Sequence, residues 1–307
     1  MRTKFNRRAF LRLAGLGGVV FASGLAGWQR ALSAEELGKP GVKPDGDFYF
    51  VQLSDTHWGF EGPKVNPDAR NTLRKAIAAV NKLPEQPDFI VFTGDLTHTT
   101  DDPKERRKRL AEFRDIAREL KVKDVRFLPG EHDASLDGGE AYREFFGATH
   151  YTFDHKGIHF IALDNVSDPR GMLGAAQLDW LRADLARVDR NTPVVVLTHR
   201  PLFDLYPEWD WATRDGADAV NLLLPHDNVT VFYGHIHQVH HHHTGHIAHH
   251  AAASLIFPLP APGSVAKRSP LPWDPAHPYK GLDYRVIESN AGHADDYRID
   301  DEPLVAG

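Results

Sequence analysis

The sequence predicts an α/β protein whose core is a parallel sheet. Three observations predict it. Short apolar runs of strand length recur along the chain, helical-period segments separate the first three, and polar clusters of Asp, Glu or His follow the runs. Phe48 to Leu53 (FYFVQL) is the first run and ends in Ser54-Asp55-Thr56-His57. Asp55 and His57 are one side-chain repeat of an extended chain apart, so both can aim at one point. A carboxylate and an imidazole aimed together suit a metal cation.

The following elements repeat this grammar. Leu73, Ile77 and Val80 fall at helical spacing within Asn66 to Leu83, and Pro67-Asp68 suit a helix start. A second strand, Phe89 to Phe92, ends in Thr93-Gly94-Asp95-Leu96-Thr97-His98. A charged helix over Pro103 to Leu120 turns Leu110, Phe113 and Leu120 inward. A third strand, Val125 to Leu128, ends in Pro129-Gly130-Glu131-His132-Asp133. The stretch Tyr151 to Leu163 reads as a hairpin turning at Lys156-Gly157. After a helix over Ala175 to Val188, Val194 to Leu197 leads to His199-Arg200. A helix near Ala217 to Leu224 precedes Val229 to Phe232, which leads to Gly234-His235-Ile236-His237. Leu282 to Glu288 and Tyr297 to Ile299 read as the closing strands.

Composition narrows the chemistry. The 307 residues contain 19 His and no Cys, which excludes disulfides, thiolate metal sites and thiol nucleophiles. Residues 1–34 carry six basic and no acidic side chains, leaving 30 basic against 42 acidic groups, a net of -12 for the remainder. A body this acidic lacks the basic footprint of a general nucleic-acid binder, so no nucleic-acid partner is expected. Asn6-Arg7-Arg8-Ala9-Phe10-Leu11 resembles the twin-arginine export signal, and the apolar part Leu13 to Trp28 is shorter than a membrane span. Ala31-Leu32-Ser33-Ala34 suits a cleavage zone. Residues 1–34 are thus expected to be a twin-arginine-type signal peptide recognised by that export machinery, 35–47 a linker, and 48–307 one domain. The expected location is periplasmic or otherwise exported, with no membrane span in the mature form. An uncleaved amphipathic N-terminus or anchor is the other reading.

Collected in order, Asp55/His57, Gly94-Asp95, Gly130-Glu131-His132-Asp133, His199 and His235/His237 all follow strand ends, where open parallel sheets bind ligands. The series D-x-H, G-D, G-x-H-D, H, G-H-x-H resembles the calcineurin-like metallophosphoesterase superfamily, nearest its cyclic-nucleotide and glycerophosphodiester phosphodiesterase branch. The resemblance implies a four-layer α/β/β/α sandwich around two metal ions, divalent or trivalent, of Mn, Fe or Zn type. It implies hydrolysis of a small phosphomonoester or phosphodiester by a hydroxide bridging the metals. By the same resemblance Asp55, His57 and His237 hold one metal, Asp95 bridges, and His199 and His235 hold the other. His132 stabilises the transition state or protonates the leaving group.

One position departs from the family's pattern. Glu131 stands where the family has Asn, an anionic oxygen on a longer arm in place of a neutral one. Either Glu131 ligates and makes the site more anionic, or it swings away and weakens the second site. The second case keeps open a different class of protein, a metal- or partner-binding protein on a catalytically weak phosphoesterase scaffold. His98, three residues beyond Asp95, occupies the place of a ligating tyrosine in purple acid phosphatases and of a substrate-side histidine in nuclease members. It is read as a pocket histidine or as a loop residue pairing with a carbonyl. Arg200 suits a phosphate contact or a structural ion pair. Tyr206, Trp209 and Trp211 suit a lid over the site or packing. The tract from His240 to His250 suits a solvated hairpin or a secondary metal-handling surface.

Overall fold

The computed structural model describes residues 47–290 and 293–305. The signal-like segment 1–34 and nearly all of the linker 35–47 lie outside the described residues. Two mixed sheets face each other. The first has the order β11-β10-β1-β2-β3 and the second β4-β5-β6-β7-β9-β8. Their strands are β1 (Phe48–Leu53), β2 (Phe89–Thr93), β3 (Val125–Leu128), β4 (Tyr151–His155), β5 (Ile158–Ala162), β6 (Val194–Leu197), β7 (Val229–Tyr233), β8 (His240–Thr244), β9 (Ile247–Ala251), β10 (Asp283–Asn290) and β11 (His293–Pro303).

The expected parallel pairing holds for β1-β2-β3 and for β5-β6-β7-β9, while β4, β8, β10 and β11 are added antiparallel. The run Phe48–Leu53 is buried throughout because β1 lies between β10 and β2 and has both faces covered.

Helices cover the outer faces. On the first sheet lie α1 (Ala69–Asn81) and α2 (Pro103–Ala117), whose Leu73, Ile77, Val80, Phe113 and Ile116 pack with Val51, Leu53, Ile90 and Phe92. Helix α1 is shorter than its apolar period suggests, because Asn66 Oδ1 accepts the Asp68 N–H and makes the entry a turn. Helix α2 begins with Pro103 behind Asp102, whose side chain accepts the Lys104 N–H. Two short helices, α3 (Glu131–Ala134) and α4 (Glu140–Phe146), follow β3. On the second sheet, α5 (Ala175–Leu185) and α6 (Gly216–Leu223) bury Leu181, Leu185, Ala219 and Leu223 against Val194, Val196 and Val231.

Between the sheets lies an aromatic layer of Phe48, Phe50, Phe89, Phe160 and Phe232. Phe50 stacks on Phe89 at 4.8 Å, and Phe160 meets both edge-on at 5.9 and 5.3 Å. Helix, sheet, sheet and helix thus form the four-layer sandwich. Phe89→Ala removes the ring that two neighbours stack against and is expected to cost about 3–5 kcal/mol of unfolding free energy, read from urea denaturation.

Candidate metal centre and active site

The site is built where strands of both sheets end. Asp55 and His57 leave β1, Asp95 leaves β2, Glu131 and His132 open α3 after β3, His199 follows β6, and His235 and His237 follow β7. The chain departs from strand geometry at these points. Asp55, His57, Asp95, His235 and His237 have φ of 54°, 41°, 48°, 66° and 54°. Such left-handed backbone costs roughly 1–2 kcal/mol for a residue with a Cβ, and it clusters at functional sites. Backbone bonds Asp55 N to Gly94 O (3.1 Å) and His57 N to Asp95 O (2.9 Å) tie the β1 and β2 turns together.

Two glycines are required by close approach. A Cβ on Gly94 would stand 2.3 Å from His199 Nδ1, and one on Gly130 would stand 2.1 Å from Asp95 Oδ1. Asp133 braces the turns from beneath. Its carboxylate accepts from Leu96 N, Thr97 N, Thr97 Oγ1 and Gly130 N, all at 2.8–2.9 Å. Burial and the Asp95 charge push its carboxyl up to about 7, against the pull of those donors.

The predicted side chains converge in two groups. Asp55, His57, Asp95 and His237 offer ligand atoms within 4.8 Å of one another, and so do Glu131, His199 and His235; Asp95 also groups with Glu131 and His132. Glu131 faces the site, with carboxylate oxygens 2.9 Å from His199 Nε2 and 3.0 Å from His235 Nδ1. Asp95 Oδ2 lies 3.3 Å from His57 Nε2 and 3.5 Å from His199 Nε2, between the groups. Backbone carbonyls set the ring tautomers. Thr93 O lies 2.7 Å from His199 Nδ1, Phe257 O lies 2.7 Å from His237 Nδ1, and Asp210 O lies 3.1 Å from His235 Nε2. The opposite ring nitrogens, His199 Nε2, His237 Nε2 and His235 Nδ1, face the carboxylates of the site, the arrangement by which outer groups orient metal-binding imidazoles.

The electrostatics suit a cation. Burial pushes the Asp55 and Glu131 carboxyls up, but His237 beside Asp55, and His235 and His199 beside Glu131, hold them below the usual range. Burial and then the neighbouring His132 press His57 well down, and burial presses His235 down, so both rings are neutral donors. Burial also opposes charge on His199, yet Asp95 and Glu131 raise it well above the ordinary imidazole range. His199 Nε2 is buried with carboxylate oxygens of Glu131, Asp95 and Asp55 at 2.9, 3.5 and 4.0 Å. Three carboxylates converging on buried imidazoles fit a metal ion, and the all-oxygen-and-imidazole donor set fits Mn, Fe or Zn.

A cavity of about 210 Å³ opens onto these ligands and is lined also by His98, His132, Phe60, Phe257, Leu259, Arg268, Ser269 and Pro270. The Thr99 N–H donates to His132 Nδ1 at 3.1 Å, which puts the ring proton on Nε2. That Nε2 lies 3.9 Å from Asp95 Oδ2. His98 stacks on His132 at 5.0 Å and contacts His57 through Nδ1 at 3.2 Å, so it is a pocket residue in geometry. Burial and His132 bring it down to about 4.

The other candidates, Arg200, Tyr206, Trp209, Trp211 and the tract from His240 to His250, do not line this cavity. Arg200 is 3% exposed and grips the carboxylate and carbonyl of Asp210. Trp209 and Trp211 are buried against Tyr233 and Ile256 and do not line the cavity. The tract from His240 to His250 forms the β8–β9 hairpin at a sheet edge, with His241 paired to His250 and His242 stacked on Phe203. Sequence reasoning missed Phe60, Phe257 and the strap residues Arg268 to Pro270. They sit in irregular chain, where no periodicity marks them.

A cluster of carboxylates and imidazoles that could hold metal ions stands at the strand ends of a two-sheet sandwich. The chain belongs to the calcineurin-like phosphoesterase family, whose model matches residues 48–239. It is 28% identical over 201 residues to a probable cyclic nucleotide phosphodiesterase of Rhodococcus erythropolis, covering 62% of this chain and 64% of that one. It is 29% identical over 183 residues to the mouse serine/threonine-protein phosphatase CPPED1, covering 52% and 57%. The aligned stretch thus spans about three fifths of these relatives' own length. A dimetal phosphatase from Danio rerio has the same fold, with a TM-score of 0.59 at 15% identity over 85% of this chain and 97% of that one.

Chelation is expected to lower Tm, because the buried carboxylates Asp55, Asp95 and Glu131 lose their counter-ions. Returning manganese or zinc at 100 times its Kd is expected to restore about 2.7 kcal/mol, read by calorimetry across a metal titration.

Proposed function

We propose that the protein is an exported, dinuclear metal-dependent hydrolase of a small phosphomonoester or phosphodiester. The observation that carries this reading is the place of Asp95 Oδ2, 3.3 Å from His57 Nε2 of one ligand group and 3.5 Å from His199 Nε2 of the other, with His132 Nε2 3.9 Å away. Asp55, His57, Asp95 and His237 would hold one ion, and Glu131, His199 and His235, with Asp95 beside them, would hold the other. When bound, such a pair supplies Lewis acidity toward phosphoryl oxygens and a water acidified toward neutrality. Glu131 adds a third carboxylate to the cage and favours a more highly charged ion in the second position.

The side chains do the rest. His132 donates from Nε2 to the oxygen of the departing alcohol, while Thr99 keeps its proton on that nitrogen. His98 supports the His132 ring by stacking and, being neutral, adds no charge that would compete with the metals. Phe60 and Phe257 give the organic part of the substrate an apolar wall, and the small cavity favours a small ester. The acidic body disfavours polynucleotides.

The test is hydrolysis of p-nitrophenyl phosphate and bis-p-nitrophenyl phosphate with manganese, zinc or iron. His132→Ala is expected to lower kcat by about a hundredfold or more with metal content unchanged. Glu131→Ala is expected to reduce bound metal from two equivalents to one, counted by mass spectrometry. Full metal loading with no turnover of either ester would instead mark a binding protein on this scaffold. For export, a reporter fused behind residues 1–34 is expected to reach the periplasm, and replacing Arg7 and Arg8 by Lys is expected to retain it in the cytoplasm.

A further inference from the structure

The residues already assigned do not include a cation that meets the substrate. The cavity is floored by carboxylates and imidazoles, and Arg200, the guanidinium nearest in sequence to a ligand, is buried and committed to Asp210. A different arginine reaches the cavity. Arg268 lines it together with Ser269 and Pro270, and it is the one Lys or Arg among the described residues that does so. It is half-buried. Other arginines of the chain, such as Arg106, Arg107, Arg126 and Arg285, hold carboxylates. Arg268 has no ion pair and no hydrogen bond among the described residues, although Asp95 and Glu131 line the same cavity.

The segment that carries Arg268 is fastened on both sides. Gln238 Nε2 donates to Leu259 O at 3.0 Å and to Pro260 O at 2.6 Å. Leu271 N donates to Pro258 O at 3.0 Å, and Trp273 N donates to Lys64 O at 3.0 Å. Pro258, Pro260, Pro262, Pro270 and Pro272 restrict the backbone further. A cation held by a pinned strap pays little ordering entropy when a ligand arrives. Its planar fork matches two oxygens of a phosphoryl group.

We infer that Arg268 is the anion-binding residue of this cavity, holding the phosphoryl group of the substrate from the strap side while the ligand cage holds it from the other. The inference rests on the hydrolase reading for the identity of the anion, but phosphate binding tests it without turnover. Arg268 lies beyond residues 48–239, the stretch that the family model matches. It is a binding and positioning residue, and its loss affects affinity more than chemistry.

The experiment compares the manganese-loaded protein with Arg268→Ala, Arg268→Lys and Lys267→Ala, the last removing an exposed cation on the same strap. Inorganic phosphate affinity is measured by isothermal titration calorimetry, and kcat and KM with bis-p-nitrophenyl phosphate. Arg268→Ala is expected to weaken phosphate binding and raise KM by about tenfold each, with kcat within about threefold and metal content unchanged. Arg268→Lys recovers part of the affinity as a point charge, and Lys267→Ala matches the parent. Unchanged phosphate affinity and KM in Arg268→Ala overturn the inference. So does an equal effect of Lys267→Ala, or a fall in kcat with affinity intact. If the parent binds phosphate through Arg268 but hydrolyses neither ester, the hydrolase reading fails and the role of Arg268 stands. If the parent turns over and Arg268→Ala is unaltered, the inference fails by itself.

Discussion

Three carboxylates crowd one site, two of them buried and one partly exposed, and the structure is arranged around that fact. Asp55 and Asp95 are essentially inaccessible, and Glu131, after β3 of the first sheet, reaches His199 and His235 of the second. Taking charges of one sign out of water is unfavourable by several kcal/mol per group unless opposite charge is close. Burial holds His57 and His235 toward the neutral form, so of these rings only His199, raised by Asp95 and Glu131, supplies opposite charge. Metal cations in the site would supply the remainder. The turn geometry, the tautomers set by Thr93 and Phe257, and the brace from Asp133 all serve to hold the acids in this arrangement.

The frame and the chemistry come from different parts of the chain. Residues 48–239 carry the clustered carboxylates and histidines, each placed by a strand end or a short turn. The strap after β9 lines the cavity beside them with Phe257, Leu259 and Arg268 to Pro270. Rigid elements suit groups that must be placed within tenths of an ångström, and irregular chain suits groups that set which ester enters. The relatives' differing names, a phosphodiesterase and a protein phosphatase, are consistent with one frame under different walls.

Much of this was legible in the sequence, for stated reasons. Buried parallel strands are continuous apolar runs, so β1, β2, β6 and β7 stand out, and their polar endings mark the candidate ligands. The pairing of β10 with β1 was hidden, because no local pattern encodes a partner more than 200 residues away. The left-handed φ of Asp55 or His237 was equally hidden, since the turn that imposes it is closed by bonds to other segments. Arg200 and Arg268 show the limit most plainly. Adjacency to His199 suggested the first, but the chain turns its guanidinium to Asp210. The second sits in proline-rich irregular chain with no period to read.

Each ligand group draws from both sheets, and His57 meets His237 across 180 residues of sequence. Neither group can be complete until the chain has run as far as β7 and the second sheet has docked on the first.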